Sequence, residues 1–185
     1  ANGSDYVNFD GDCPMSTLSV DTIQGKTTAG TVAMPTGYIV QTQSSVITAS
    51  TAHTTTTYTD SISATITPKF STSKIMVWAT TSGFGEATST TYIWFASRLV
   101  RVVGGTTTAI FNDHTATNSL MHGWGSRSSS GAVESATYET LQFLDSPSTQ
   151  SEITYKVQTA GRSGVAISIN ARSTSSTITM MEIAQ

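Results

Sequence analysis

The sequence predicts an all-β chain: an antiparallel β-sandwich of jelly-roll type, with eight or nine strands and an extended N-terminal arm. Three observations carry that expectation. From residue 38 onward, apolar residues recur at every second position in short runs, the period of a strand with one buried face. Thr and Ser fill 62 of the 185 positions (35 and 27), while Leu occurs only five times, a composition that fits pleated sheet and disfavours helix. No fixed-period repeat is present, so propellers and β-helices are excluded and two packed sheets are left as the way to bury these faces.

The elements follow in order. Residues 1–36 form the arm and residues 37–185 the sandwich domain. Within the arm, Asp5, Asn8, Asp10 and Asp12 loosely suggest a calcium loop, but EF-hand spacing and its closing Glu are missing, and a solvated acidic arm is the simpler reading. Gly25, Lys26 and Thr27 look like the end of a phosphate-binding loop. That motif needs a Gly at position 20, where Val20 stands, and no helix pattern follows. Leu18, Val20, Ile23, Val32 and Met34 are apolar at intervals, too few for a core of their own, and mark this stretch as an assembly arm that packs on a neighbour.

Residues 38–48 read as the first strand. Ile62, Ala64 and Ile66 alternate up to Pro68, then Ile75, Val77 and Ala79 alternate with Trp78 on the opposite face. Trp78 and Trp94, being in strands, are expected in the core. Residues 92–103 are apolar on both faces, as in a strand covered from both sides. Gly104 and Gly105 form a hairpin turn into residues 106–111. Strands at 133–144, around Ile153, Tyr155 and Val157, around Val165, Ile167 and Ile169, and at 177–183 complete the set.

Composition excludes several functions. Nine Lys and Arg against twelve Asp and Glu leave no basic field for nucleic acid. No apolar stretch approaches the ~20 residues of a membrane helix, so no membrane insertion by helices is expected. The lone Cys13 permits no intrachain disulfide or Cys-based zinc site, and no basic neighbour activates it. No signal peptide is read in the chain, which opens on Ala1 as a processed or truncated end would.

Catalytic patterns are weak. Residues 123–127 are not the Gly-x-Ser-x-Gly nucleophile elbow of a serine hydrolase, and the strand-to-helix context it needs is missing. Glu86, Glu134, Glu139, Asp113 and Asp145 are scattered acids rather than a glycosidase pair. His53, His114 and His122 include no His-x-His pair, and loop positions suit them. No catalytic residue, metal site or cofactor is expected. The long connection over residues 112–131 is the exception to a bland surface. It gathers His122, Trp124 and Arg127 within six positions, a grouping suited to stacking on a sugar or to a protein contact.

Specific segments also resemble a known family. Residues 15–35, 54–60, 66–68, 73–75, 144–147, 154–157 and 177–183 resemble small virion structural proteins of marine bacteriophages, including cyanobacterial phages, of the tail-fibre-like or decoration type. The likeness runs from 15 to 185, and the arm is its most specific part. It implies a β-sandwich that trimerises, has no enzymatic activity, lies on the virion surface and meets other capsid or tail proteins. The alternative is a receptor-binding fibre tip that recognises a host-surface glycan through His122, Trp124 and Arg127.

Overall fold

The computed structural model describes residues 36–87, 93, 95–111, 133–161 and 166–185. The arm residues Leu18, Val20, Ile23, Val32 and Met34 lie outside the described residues, as do Cys13, Trp94, His114 and the 112–131 connection with His122, Trp124 and Arg127.

Among the described residues there is no helix, and ten strands are seen. They are β1 (Ile39–Ile47), β2 (Thr51–His53), β3 (Thr59–Ile66), β4 (Lys74–Ala87), β5 (Phe95–Val103), β6 (Thr106–Phe111), β7 (Val133–Asp145), β8 (Ile153–Gly161), β9 (Ala166–Ile169) and β10 (Ser176–Ile183). All pairings are antiparallel and make two sheets, as expected for a β-sandwich. The second sheet is the simpler, in the order β3-β8-β5-β6.

The first sheet is built on β4. β7 pairs with β4 from Ile75 to Ala87 and so occupies one whole edge. β10 and β9 must therefore share the other edge, β10 along residues 74–80 and β9 along 83–86. β1 pairs with β10, and β2 with β9. The sheet is thus four ribbons wide, with two of its ribbons interrupted. The break between β9 and β10 is expected from the sequence, whereas the short β2 (Thr51–His53) is not, and it brings the described strands to ten where eight or nine are expected.

The interruption between β9 and β10 has a local cause. Asn170, Arg172 and Ser173 all adopt the left-handed region, with φ of 59°, 55° and 61°. Asn170 carries the geometry at little cost because its short amide bonds nearby groups. Its Oδ1 accepts from Ser176 Oγ at 2.6 Å, and its Nδ2 donates to the Ala49 carbonyl at 3.2 Å. The kink is thereby fixed both to its own strand end and to the β1–β2 break.

The β5–β6 hairpin turns on Gly104 and Gly105, both at positive φ, as a two-residue turn of the primed type requires. Gly161, at the end of β8, has a different role. A Cβ there would lie 2.8 Å from the carbonyl oxygen of His53, which is backbone and cannot swing away. Gly161→Ala should therefore cost roughly 1–3 kcal/mol in urea denaturation, as overpacking does. An unchanged midpoint would show that β2 can move aside.

Alternation places the core. Ile75, Val77 and Ala79 of β4, Leu141 of β7 and Ile178 and Met180 of β10 meet Ile62 and Ile66 of β3, Leu99 of β5 and Ile153, Tyr155 and Val157 of β8. The expectation for β5 holds over its first half: Ala96, Ser97, Leu99 and Val100 are all buried, so both faces are covered there. Trp78 does not behave as expected. Since Val77 and Ala79 point inward, Trp78 has the outward parity and is 50% exposed.

Glu182 is the unexpected core member. It shares the inward parity of Ile178 and Met180 and is fully buried. Its Oε1 accepts from the backbone N–H groups of Lys69 and Phe70 at 2.8 and 3.2 Å, and its Oε2 from Gln41 Nε2 at 2.6 Å. The carboxylate accepts from two backbone donors of the β3–β4 connection and so ties that connection to β10.

Candidate functional site

Two arrangements stand out among the described residues: a neutral outer sheet face and a buried polar seam between the sheets.

The outer face follows from the register of the first sheet. Leu144, Met76, Met181 and Thr42 form one row across β7, β4, β10 and β1. Gln142, Trp78, Thr179 and Ser44 form the next, and Thr140, Thr80, Thr177 and Val46 the third. None of these twelve side chains is charged. Trp78, Val46 and Leu144 are exposed large apolar groups, and Tyr138, further along β7, is 63% exposed. Charges appear only beyond the rows, at Lys74 on one end and at Glu86, Glu134 and Arg172 on the other. Arg172 donates to Glu134 at 2.6 Å and lies over the Phe84 ring at 4.5 Å from its centroid. Beside that pair, a recess of about 150 Å³ is lined by residues that include Phe84, Ala136, Tyr138 and Arg172.

The polar seam lies on the inner faces. Ser97 of β5 donates to Oε2 of Glu139 on β7, which joins the two sheets. Oε1 of Glu139 has no hydrogen-bond partner, nor has Oγ1 of Thr81, its register partner on β4. Burial pushes the Glu139 carboxyl up to about 7, against the opposing effect of the Ser97 hydrogen bond. Thr159 of β8 stands opposite Ser97; its hydroxyl pairs with Ser61 Oγ at 2.6 Å and with His53 Nδ1 at 3.3 Å. Thr59 also pairs with His53 Nδ1. Burial lowers the pKa of His53, with a backbone hydrogen bond involving Thr159 acting the other way. His53 is therefore a buried core histidine, not the loop histidine its surroundings of Thr and Ala suggest.

A serine, a histidine and a glutamate in one seam invite comparison with a hydrolase relay. The connectivity is wrong for it. Nucleophilic chemistry needs the histidine on the serine and the acid on the histidine. Here the glutamate is on Ser97 and the histidine on two threonines, and Ser97 itself is 2% exposed. A carboxylate pair fares no better. Glu139 and Asp145 are both buried and sit six residues apart on β7, about 20 Å, whereas glycosidase pairs stand roughly 5–10 Å apart. Glu86 and Glu134 face each other across β4 and β7, but Glu134 is held by Arg172 and both lie at an exposed sheet end.

A second buried tie closes the other end of the seam. Asp145 accepts from Arg101 Nη1 with both oxygens, at 2.8 and 2.9 Å, and from the Tyr155 hydroxyl at 2.6 Å. Burial, then the hydrogen bond to Asp145 and its charge, push the Tyr155 phenol far up, so it stays a donor. On the outer face of the second sheet, burial would raise the Asp60 carboxyl, but Lys156 and Gln158, donating at 2.7 Å each, outweigh it and hold it low.

The described residues include no group of three or more His, Cys, Asp or Glu side chains close enough to hold a metal ion. No helix among them is long and apolar enough to cross a membrane. No family model matches the chain, nor does any curated protein.

Proposed function

We propose that the chain is a non-enzymatic structural subunit of a bacteriophage virion surface: a capsid decoration, head fibre or fibre knob that assembles as a homotrimer and attaches through its arm, residues 1–36. The observation that carries this reading is the outer face of the first sheet, neutral over three rows and half-exposed at Trp78. An uncharged face that exposes the large apolar side chains Trp78, Val46 and Leu144 among hydroxyl and amide groups supports an interaction site over a solvated face.

Strand order adds support. With β1 and β2 taken as one interrupted strand, and β9 and β10 as another, the described residues make eight strands. Numbered anew, the sheets run 1-8-3-6 and 2-7-4-5. That is the order of two interleaved Greek keys, the jelly roll that recurs in viral capsid and surface domains. The resemblance of residues 15–185 to small virion proteins points the same way. Fold alone does not give function, so the reading rests on the face.

Light scattering on the full chain at micromolar concentration should give the mass of three 19.5 kDa chains. A single-chain mass would contradict the assembly reading. Release of reducing ends from host polysaccharide would contradict the non-enzymatic one.

A further inference from the structure

We propose that the free edge of β1 receives, as an added strand, residues 16–23 from the arm of a neighbouring copy. The inference rests on the assembly reading above and deepens it by naming the contact.

The edge comes first. β1 ends the order of the first sheet, and among the described residues only β10 pairs with it. Its other edge therefore presents backbone N–H and C=O groups with no strand beside them, a template for pairing. Proteins guard such edges with brevity, bulges, charge or proline. The remaining edges of the two sheets carry these guards. β2 has three residues and β6 has six. β3 has a register shift at Asp60/Ile62, and Asp60 is paired there with Lys156. β7 carries Glu134 and Asp145. β1 runs for nine residues, Ile39–Ile47, with no charge and no proline, and its register shift lies at its start, between Ile39 and Gln41.

The edge also borders a groove. About 330 Å³ of space opens between β1 and β3, lined by residues that include Val46, Ile47, Ser61 and Ile62. A strand laid along β1 would place every second side chain over that groove.

The arm contains a segment with the right pattern. Leu18 and Val20 share one parity with Ser16 and Thr22, while the charge of Asp21 falls on the other. One side of the segment is therefore uncharged and apolar at its centre, to meet the groove, and the other keeps its carboxylate in water. Reach suffices. Residues 24–36, thirteen in all, join the segment to the domain and span up to about 43 Å when extended. The domain, residues 37–185, has by its length a radius of gyration of about 15 Å, so the linker crosses onto an adjacent copy.

Symmetry agrees with the trimer. Each copy gives an arm and receives one, so the two surfaces in contact differ and the contact is head-to-tail. Head-to-tail contacts close into rings, and a ring of three satisfies every edge. The main-chain hydrogen bonds supply affinity, and the groove under alternate side chains supplies specificity. An extended peptide of another protein is the competing occupant. The arm has the advantage of its tether: once two copies meet, it is held near the edge at an effective concentration a free peptide does not reach.

The test uses the full chain at micromolar concentration. Sedimentation velocity compares wild type, the arm variant Leu18→Asp with Val20→Asp, and the edge variant Gln43→Lys with Ser45→Lys. Gln43 is exposed and Ser45 half-buried, and β1 holds β10 through backbone, so the edge variant should keep the sheet signal in circular dichroism. The expected result is a trimeric wild type, with the dissociation constant raised about 30-fold or more by the arm variant and about tenfold or more by the edge variant. A photoreactive Ser45→p-benzoyl-Phe chain then locates the contact. In a mixture of isotope-labelled and unlabelled chains it should cross-link to residues 15–24 of the other isotope. A monomeric wild type overturns this contact and the assembly reading together. A trimeric wild type with unchanged affinity in both variants, or with cross-links that map outside the arm, overturns the contact and leaves assembly standing. Cross-links to the arm that never mix isotopes give the edge to the chain's own arm and overturn the exchange.

Discussion

Asp145→Ala should destabilise the sandwich by about 3–5 kcal/mol, the range for a buried ion pair that loses one partner. The magnitude follows from what Asp145 holds. It sits on β7 of the first sheet and receives Arg101 and Tyr155 from β5 and β8 of the second. With the carboxylate gone, the guanidinium of Arg101, a quarter exposed at most, keeps its charge without a partner. The hydroxyl of Tyr155, in a fully buried side chain, loses its acceptor at the same time. Tyr155→Phe removes only the hydroxyl and leaves the ion pair, so it should cost about 1–2 kcal/mol. Urea denaturation monitored by tryptophan fluorescence measures both. A loss below about 1 kcal/mol for Asp145→Ala would mean that water reaches Arg101 and that the tie contributes little.

The second large effect has the opposite sign. Glu139→Gln should stabilise the protein by about 3 kcal/mol at pH 8 and change little at pH 4. The Glu139 carboxyl is raised from 4.5 to about 7 in the folded chain, chiefly by burial. Below about pH 4.5, folded and unfolded chains both carry it protonated, and it costs nothing. Between about 4.5 and 7 the unfolded chain ionises and the folded one does not, so stability falls as pH rises, by about 1.4 kcal/mol per pH unit. Above about 7 both are ionised and the loss levels off. Gln keeps an acceptor for Ser97 and never ionises, so the variant should lack this fall. His53 acts in the other direction, since its lowered pKa makes stability fall as pH drops below 6.5. It is present in both proteins, and the difference between the two curves isolates Glu139. Parallel stability profiles from pH 4 to 8 would show that the glutamate is solvated and that its orphaned oxygen has a partner.

Much of this fold could be read from the chain because the inner faces follow a simple parity. Ile75, Val77 and Ala79, or Ile153, Tyr155 and Val157, alternate with polar residues and place themselves. The two-glycine hairpin is equally direct, since positive φ at both positions leaves few other residues. Trp78 was legible too, had parity been weighed above size: it stands between two inward residues and must point out. The same parity marks Glu182, two positions beyond Met180, as a buried charge.

Other features had no local signal. β2 is three residues long in a Thr-rich run, and only its pairing with β9 makes it a strand. The continuation of β4 through Gly83 and Gly85 depends on the thirteen-residue partner β7. The seam of Ser97, Glu139, Thr159 and His53 joins residues 42 to 106 positions apart, and nothing in their spacing announces it. The candidate recognition residues His122, Trp124 and Arg127 lie outside the described residues. The candidate surface came instead from register, which aligns Leu144, Met76 and Met181 from three separate strands.

The proposed role, assembly on a particle, is tested most directly on the particle itself. On the proposed reading as a phage surface subunit, quantitative mass spectrometry of purified virions, paired with antibody labelling of intact particles, measures presence, copy number and exposure together. The account predicts that the chain is present in a multiple of three copies and is labelled on the outer surface. Particles that are complete and infectious without the chain, or that carry it only inside, would contradict it.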